Sequence, residues 1–154
     1  MGITVEFEFV PFNKVGGHGR MYDIKSLINY DEYQQRIQAG TALGELCHDH
    51  DPVEVINLNQ VSHKINSMWI NEKGISGVVE ILATPRGQIA EMLLSGGFLS
   101  VRPRIVGQVI DSVVRNGEII SFDFIDSMND TFNPDSYKNR RYKLKLKGHE
   151  ESIF

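Results

Sequence analysis

Apolar and polar residues alternate at the start of the chain. Every second residue from Ile3 to Phe9 is apolar, and the residues between them include Glu6 and Glu8. Side chains of a strand point alternately to its two faces, so this pattern predicts a half-buried strand. Pro11 is expected to end it, because proline cannot donate a ladder hydrogen bond.

Further apolar runs, bounded by turn residues, predict more strands. They are Leu43–His48, one or two strands within Val53–Asn66, a hairpin of Met68–Ile70 with Ile75–Ala83 around Asn71–Gly74, Leu99–Val114, and Ile119–Ile125. Pro103 is expected to interrupt the fourth of these runs and Gly107 to bend it. The segment Arg115–Glu118 is expected to form a turn.

Two short helices are predicted, Asp31–Ala39, ended by Gly40, and Thr84–Leu94, ended by Gly96 or Gly97. The second has a good N-cap in Thr84, followed by Pro85 at the first helical position. Ile89, Met92 and Leu93 follow at i, i+3 and i+4 spacing, which predicts that they form the buried face.

The composition is that of an ordinary soluble globular protein, with 154 residues, 41% apolar and 23% charged. This length suffices for one domain with a core, so we expect a single domain over residues 1–154. The one cysteine, Cys47, excludes an internal disulfide framework and a zinc cluster. No apolar run approaches the roughly 18–20 residues that cross a bilayer, and the acidic, alternating N-terminus is not a signal peptide. No membrane partner is therefore expected.

The net charge of −4 conceals a basic tail. Residues 138–147 contain six cations and no acid. Within this tail Tyr142, Leu144 and Leu146 alternate with lysines, which is typical of a half-buried strand with a solvated, lysine-protected edge. A basic tail can also bind nucleic acid, but the strand pattern is the better explanation, and a nucleic-acid partner is not expected.

Candidate chemistry centres on Ser100 and Asp123. Alternation puts Ser100 and Arg102 on one face of their strand, and Ser121 and Asp123 on one face of theirs. A carboxylate flanked by apolar residues is costly to bury without a partner, and a histidine would satisfy it. A serine attacks a carbonyl only when a base removes its proton, so His48 or His63 could complete such a site.

Each candidate also has a simpler interpretation. Ser100 and His63 could be ordinary residues of a sheet, and Asp123 could be paired with a basic residue. Arg102 and Arg104 could each anchor a carboxylate or help to position an oxyanion-binding backbone. The cluster His48-Asp49-His50 suggests a metal site, but no second ligand cluster stands at a recognisable spacing, so no metal is expected. Cys47 is more typical of small-residue packing than of a nucleophile.

A series of short motifs resembles the prohead maturation proteases of tailed phages and, more distantly, the herpesvirus assemblins. In order, the motifs are Gly44-Glu45-Leu46-Cys47-His48, Val61-Ser62-His63-Lys64-Ile65, Thr84-Pro85-Arg86-Gly87, Leu99-Ser100-Val101-Arg102-Pro103-Arg104 and Phe122-Asp123-Phe124-Ile125. The match covers about residues 40–127. Each motif is weak alone, whereas their order is fairly specific. We therefore expect an α+β fold that is mostly β, a small closed or half-closed barrel-like sheet with two short helices.

The resemblance implies a catalytic arrangement. Ser100 would be the nucleophile and His48 the base, with Asp123 as third member and His63 in reserve. Arg104 stands at the arginine of the motif, and Arg102 and Arg104 would support the oxyanion.

The implied function is that of a serine endopeptidase without cofactor, which cleaves scaffold and major capsid proteins inside the prohead, in the host cytoplasm. Self-association is left open, as is presence in the virion. One departure suggests an alternative, because Arg102-Pro103-Arg104 stands where many phage members have Ser-Ser-Arg. If the nucleophile belonged to that triplet, the chain would be an inactive relative that serves as a structural component of the capsid or tail.

Overall fold

Strands dominate the computed structural model, which describes residues 2–15, 20–46 and 55–126, together with the backbone of residues 143–146 and 149–152. In chain order the elements are β1 (Ile3–Pro11), α1 (Tyr30–Gln38), β2 (Leu43–Glu45), a 3₁₀ helix (Leu58–Gln60), β3 (Val61–Asn71), β4 (Gly74–Ile81), α2 (Pro85–Ser95), β5 (Leu99–Ile110), β6 (Val113–Asp126), β7 (Lys143–Leu146) and β8 (His149–Ser152). The expected mostly β composition with two helices is confirmed.

The strands form two antiparallel sheets. The larger has the order β2-β3-β4-β1-β7-β8, and β5 and β6 form the smaller. A single parallel bridge between Leu46 and Phe124 connects the end of β2 to β6. No closed barrel is found among the strands that the structure describes, so the barrel-like closure stays a prediction.

Aromatic side chains fill the space between β1 and β6. Phe9 stacks on Phe122 with ring centroids 4.4 Å apart, and Phe7 lies 5.7 Å from Phe124. Tyr33 of α1 meets Phe122 edge-on at 5.6 Å. The alternation of β1 therefore directs its phenylalanines into the core, as predicted, and the opposite face of β6 is left for polar residues.

Both helices lie close to where the sequence predicts them, but α2 buries a different face. The Thr84 hydroxyl accepts a hydrogen bond from the Gly87 N–H at 2.9 Å, which confirms the N-cap. Ile89 and Met92, however, are 46% and 77% exposed, and the buried residues are Gly87, Ala90 and Leu94. The predicted stripe is wrong because α2 packs closely on the sheet, where a Cβ at position 87 would collide with the Leu82 carbonyl oxygen.

The hairpin of β5 and β6 is longer than predicted. Its turn lies at Asp111 and Ser112, whose φ angles of 51° and 68° are left-handed. The predicted turn at Arg115–Glu118 instead lies within β6, next to a break in the register. Pro103 does not interrupt β5, which has β6 on one side only among the described strands, and an edge strand tolerates proline.

The basic tail contains the predicted strand, since β7 covers residues 143–146. The expectation that it forms an exposed edge is wrong, because β7 pairs with β1 on one side and β8 on the other. The remaining basic positions of the tail lie outside the described residues. Within the described part of the chain, no helix has the length and apolar character needed to cross a bilayer.

Candidate active site

One face of the β5–β6 hairpin is lined by polar residues. Cross-strand partners share a face of a sheet, and the register pairs Ser100 with Ile125, Arg102 with Asp123, and Arg104 with Ser121. The predicted face-sharing within each strand is therefore confirmed. The register adds that the polar faces of the two strands are the same face.

Arg104 is the centre of a buried ionic cluster on this face. Its Nε donates to Asp123 Oδ2 at 2.8 Å, and its terminal nitrogen lies 2.7 Å from the same oxygen. That nitrogen also lies 2.9 Å from Glu45 Oε2. Asp123 Oδ1 accepts from the Glu45 N–H at 3.0 Å and from the Ser121 hydroxyl at 2.9 Å. The four residues are at most 3% exposed, so this cluster has little access to water.

Among the described residues, the charged partner of Asp123 is thus an arginine. The expectation that a histidine satisfies this carboxylate stays a prediction, because His48 lies outside the described residues. Both oxygens of Asp123 are engaged by Arg104, Ser121 and the Glu45 amide. Burial alone would lower the pKa of Arg104, but the Asp123 and Glu45 carboxylates outweigh burial, so that the pKa is raised. Arg104 therefore stays charged, and it anchors carboxylates, one of the two roles foreseen for it.

We expect Arg104→Met to destabilise the protein strongly. Two buried carboxylates would lose their only cation among the described residues, and breaking a buried ion pair from one side costs about 3–5 kcal/mol. Urea unfolding followed by circular dichroism measures the loss. The matched control is Arg36→Met, because Arg36 pairs with Glu32 at the surface, where such a pair contributes about 0.5 kcal/mol or less. Equal losses in the two variants would contradict the importance of the cluster.

His63 lies on the other side of β6, in the apolar core. Its ring is fully buried and lies 4.1 Å from the Phe124 ring. Nε2 lies 2.7 Å from the Phe122 carbonyl oxygen, which can only accept, so the proton is on Nε2. Nδ1 then accepts from the Ser62 hydroxyl at 2.7 Å. Both ring nitrogens are occupied, and the simpler interpretation of His63 as a sheet residue accounts for these contacts.

The ring of His63 crosses over β2 at a glycine. A Cβ at Gly44 would collide with the imidazole and with the Phe122 carbonyl oxygen. The absent side chain lets His63 reach from β3 across β2 to β6. Gly44 of the first motif and Ser62 and His63 of the second thus form one structural unit with the Phe122 carbonyl, which we call the histidine clamp.

Stability should depend on pH through His63. Burial lowers its pKa from 6.5 to about 4, although the Phe122 hydrogen bond and the charge of Asp123 oppose this effect. Between these pH values the unfolded chain binds a proton that the folded chain does not, so the free energy of unfolding rises with pH. The contribution of His63 to the free energy of unfolding is complete above pH 6.5 and falls by about 3 kcal/mol as the pH drops to 4.

Urea unfolding at several pH values tests this dependence. His63→Gln keeps a donor for Phe122 and an acceptor for Ser62 but does not titrate there. The difference between wild type and variant should therefore grow by about 3 kcal/mol from pH 4 to pH 7. Parallel stability curves for the two proteins would contradict a neutral, buried His63.

Ser100 lies on the polar face, beyond the ionic cluster. It is 0% exposed, whereas Arg102, one step closer to the cluster on the same face, is half-buried. No carboxylate lies within ion-pair distance of Arg102 among the described residues, unlike Arg104. Arg102 is thus the more available cation near Ser100.

The predicted base and the predicted metal cluster cannot be placed in this site. Cys47, His48, Asp49 and His50 all lie outside the described residues. The last described residue before them is Leu46, which bridges to Phe124. The described part of the chain contains no group of three or more residues that could hold a metal ion.

Comparison with known proteins gives a match in structure but none in sequence. No family model and no curated protein matches the chain. The solved capsid assembly protease of bacteriophage T4, gp21, superimposes with a TM-score of 0.68 over 80% of this chain and 81% of that one, at 20% identity. The chain has the fold of a phage capsid assembly protease. This confirms the expected distant resemblance to the prohead proteases at the level of the fold. The varicella-zoster virus protease also matches, with a TM-score of 0.37 at 9% identity over 80% of this chain and 64% of that one.

Within this capsid-protease fold, Glu45 has a role that its motif alone does not indicate. Its carboxylate lies against Arg104 and its amide donates to Asp123. The available signal was an acid directly before the apolar Leu46 in a predicted strand. A buried carboxylate in such a position requires a cation.

Proposed function

We propose that the chain is a serine peptidase of phage capsid maturation, which acts as one domain inside the prohead in the host cytoplasm. Its substrates are scaffold and major capsid proteins. The fold shared with the T4 capsid assembly protease supports the reaction class. The proposed nucleophile is Ser100, and the proposed base is His48.

The observation that carries this proposal is that the chain at the end of β2 runs beside β6, the strand paired with the one that bears Ser100. Leu46 bridges to Phe124, and Phe124 is the cross-strand partner of Val101, the neighbour of Ser100. His48 follows Leu46 by two residues, a chain length of about 7 Å at most. This short chain length supports a base within reach of Ser100, although the two residues are far apart in the sequence.

The proposed mechanism is acyl transfer in two steps. His48 removes the proton of Ser100 as the hydroxyl attacks a peptide carbonyl, then gives it to the leaving amine. Water, activated by the same histidine, hydrolyses the ester. Backbone amides and the guanidinium of Arg102 stabilise the oxyanion. Arg104, Asp123 and His63 have buried partners of their own, so in this proposal they hold the hairpin in place.

A second candidate function is that of a catalytically inactive capsid or tail component. The complete burial of Ser100 favours it, since no substrate carbonyl reaches the hydroxyl in this conformation. Catalysis would require the residues that shield Ser100 from solvent to move when substrate binds.

Co-expression of the wild-type chain with its scaffold and capsid proteins distinguishes a peptidase from an inactive structural component. Intact-mass spectrometry should find discrete fragments of these proteins that are absent without the chain. The same fragments should form in the presence of a chelator, because the mechanism uses no metal. A folded chain that leaves genuine substrates intact would favour the structural component.

A further inference from the structure

The ionic cluster around Arg104 also holds two distant parts of the chain. Besides Glu45 and Asp123, its guanidinium donates to the Val55 carbonyl oxygen at 3.3 Å. Glu45 Oε2 in turn accepts from the Asn57 N–H at 3.0 Å. Glu45 precedes the segment that contains His48, and residues 55 and 57 follow it. One guanidinium and one carboxylate therefore hold both ends of that segment.

These contacts fix the two ends against the strand that carries Ser100. Arg104 lies on β5, on the same face as Ser100, and Asp123 joins it from β6. The Glu45 N–H donates to Asp123, so the backbone of β2 is tied to the same group. The carbonyl oxygen of Gln60 adds a contact, because it accepts from the Leu46 N–H at 3.0 Å. Backbone groups on both sides of the segment thus bind the ionic cluster: the Glu45 amide before it, and the Val55 carbonyl and Asn57 amide after it.

We infer that Glu45 and Arg104 are positioning residues, which set the distance between the segment that bears the base and the strand that bears the nucleophile. This inference rests on the proposed function for its catalytic consequence, whereas the anchoring itself does not. Arginine suits the task because its planar group binds two carboxylates and a carbonyl at once. A lysine ammonium is a compact charge without that geometry. Small displacements of reacting groups matter, since about 1 Å can cost roughly 100-fold in rate.

Amide hydrogen exchange measured by NMR tests the anchoring without any catalytic assay. In the wild type, the Asn57 amide should exchange as slowly as amides in the core strands, because it donates to a buried carboxylate. Glu45→Gln removes the charge but keeps the shape, and should raise the exchange rate of Asn57 by roughly tenfold or more. The control is Glu118→Gln, an exposed acid on β6, which should leave Asn57 unchanged.

The catalytic consequence is measured by labelling Ser100 with a fluorophosphonate. Glu45→Gln and Arg104→Lys should each slow labelling by roughly 100-fold at a temperature where circular dichroism shows them folded. The affinity for a substrate peptide should change little, because neither side chain is exposed to it. A structural role alone would alter the melting temperature and leave the labelling rate of the folded protein intact.

Failure of this inference can be distinguished from failure of the proposed function. If the Asn57 amide of the wild type exchanges as freely as that of an exposed loop, the inference is overturned, whether or not the variants fold. Folded variants with the labelling rate of the wild type would also overturn it. If the wild-type serine is inert, the proposed function fails, and amide exchange alone decides whether the cluster anchors the segment.

Discussion

Ser100→Ala should abolish processing of scaffold and capsid proteins by a folded chain. The substitution removes only the attacking oxygen, and loss of the serine from a Ser–His site lowers kcat about a million-fold. Ser100 lies in a strand that stays paired with β6, so alanine is accommodated there. Intact-mass analysis after co-expression should therefore find full-length substrates beside a variant of normal melting temperature.

The matched control is Ser95→Ala. Ser95 is an exposed serine at the end of α2, whose hydroxyl donates to the Glu91 carbonyl oxygen at 3.2 Å. This variant should process substrates like the wild type. Processing by Ser100→Ala at the wild-type rate would assign the nucleophile to another residue, and the proposed mechanism would be wrong.

His48→Gln should lower the rate nearly as far as the loss of Ser100. Glutamine can accept a hydrogen bond but cannot take and return a proton near neutral pH, and serine and histidine act as one unit. Because the effects are not additive, the double variant with Ser100→Ala should be no slower than either single one. The rate at which substrates are processed, followed by intact-mass spectrometry, can be measured for all three variants.

His50→Gln is the control for this second prediction, since it changes the neighbouring histidine of the same short cluster. It should label and process normally. If instead His50→Gln is inactive and His48→Gln is active, the base is His50. If both variants are active, no histidine of the cluster is the base, and the proposed pairing with Ser100 fails.

Much of the local structure could be predicted because its signals are short in range. The alternation in β1 and the Thr84-Pro85 pair at the start of α2 each predicted an element that the structure contains. These signals depend on neighbours along the chain, through side-chain periodicity and backbone capping. The order of the motifs indicated the resemblance to the prohead proteases, and the fold shared with the T4 protease agrees with it.

What failed depends on residues that are distant in the sequence. Ala90 and Leu94 are buried instead of Ile89 and Met92 because α2 lies close to the sheet. The sequence of α2 alone does not determine this distance. Nothing near Asp123 in the sequence indicates that Arg104 binds its carboxylate. Long-range ion pairs of this kind follow from the register of β5 with β6, and that register includes a shift beside Arg104.

The histidine clamp has a consequence for how this fold can vary in evolution. The imidazole occupies the volume that a side chain at position 44 would need. Positions 44 and 63 should therefore covary: a relative with a larger residue at the first needs a smaller one at the second, together with a new donor for the carbonyl at position 122. A protein of this fold in which both residues are exchanged together should still keep the strand arrangement. Searches that require either residue alone would overlook such a protein.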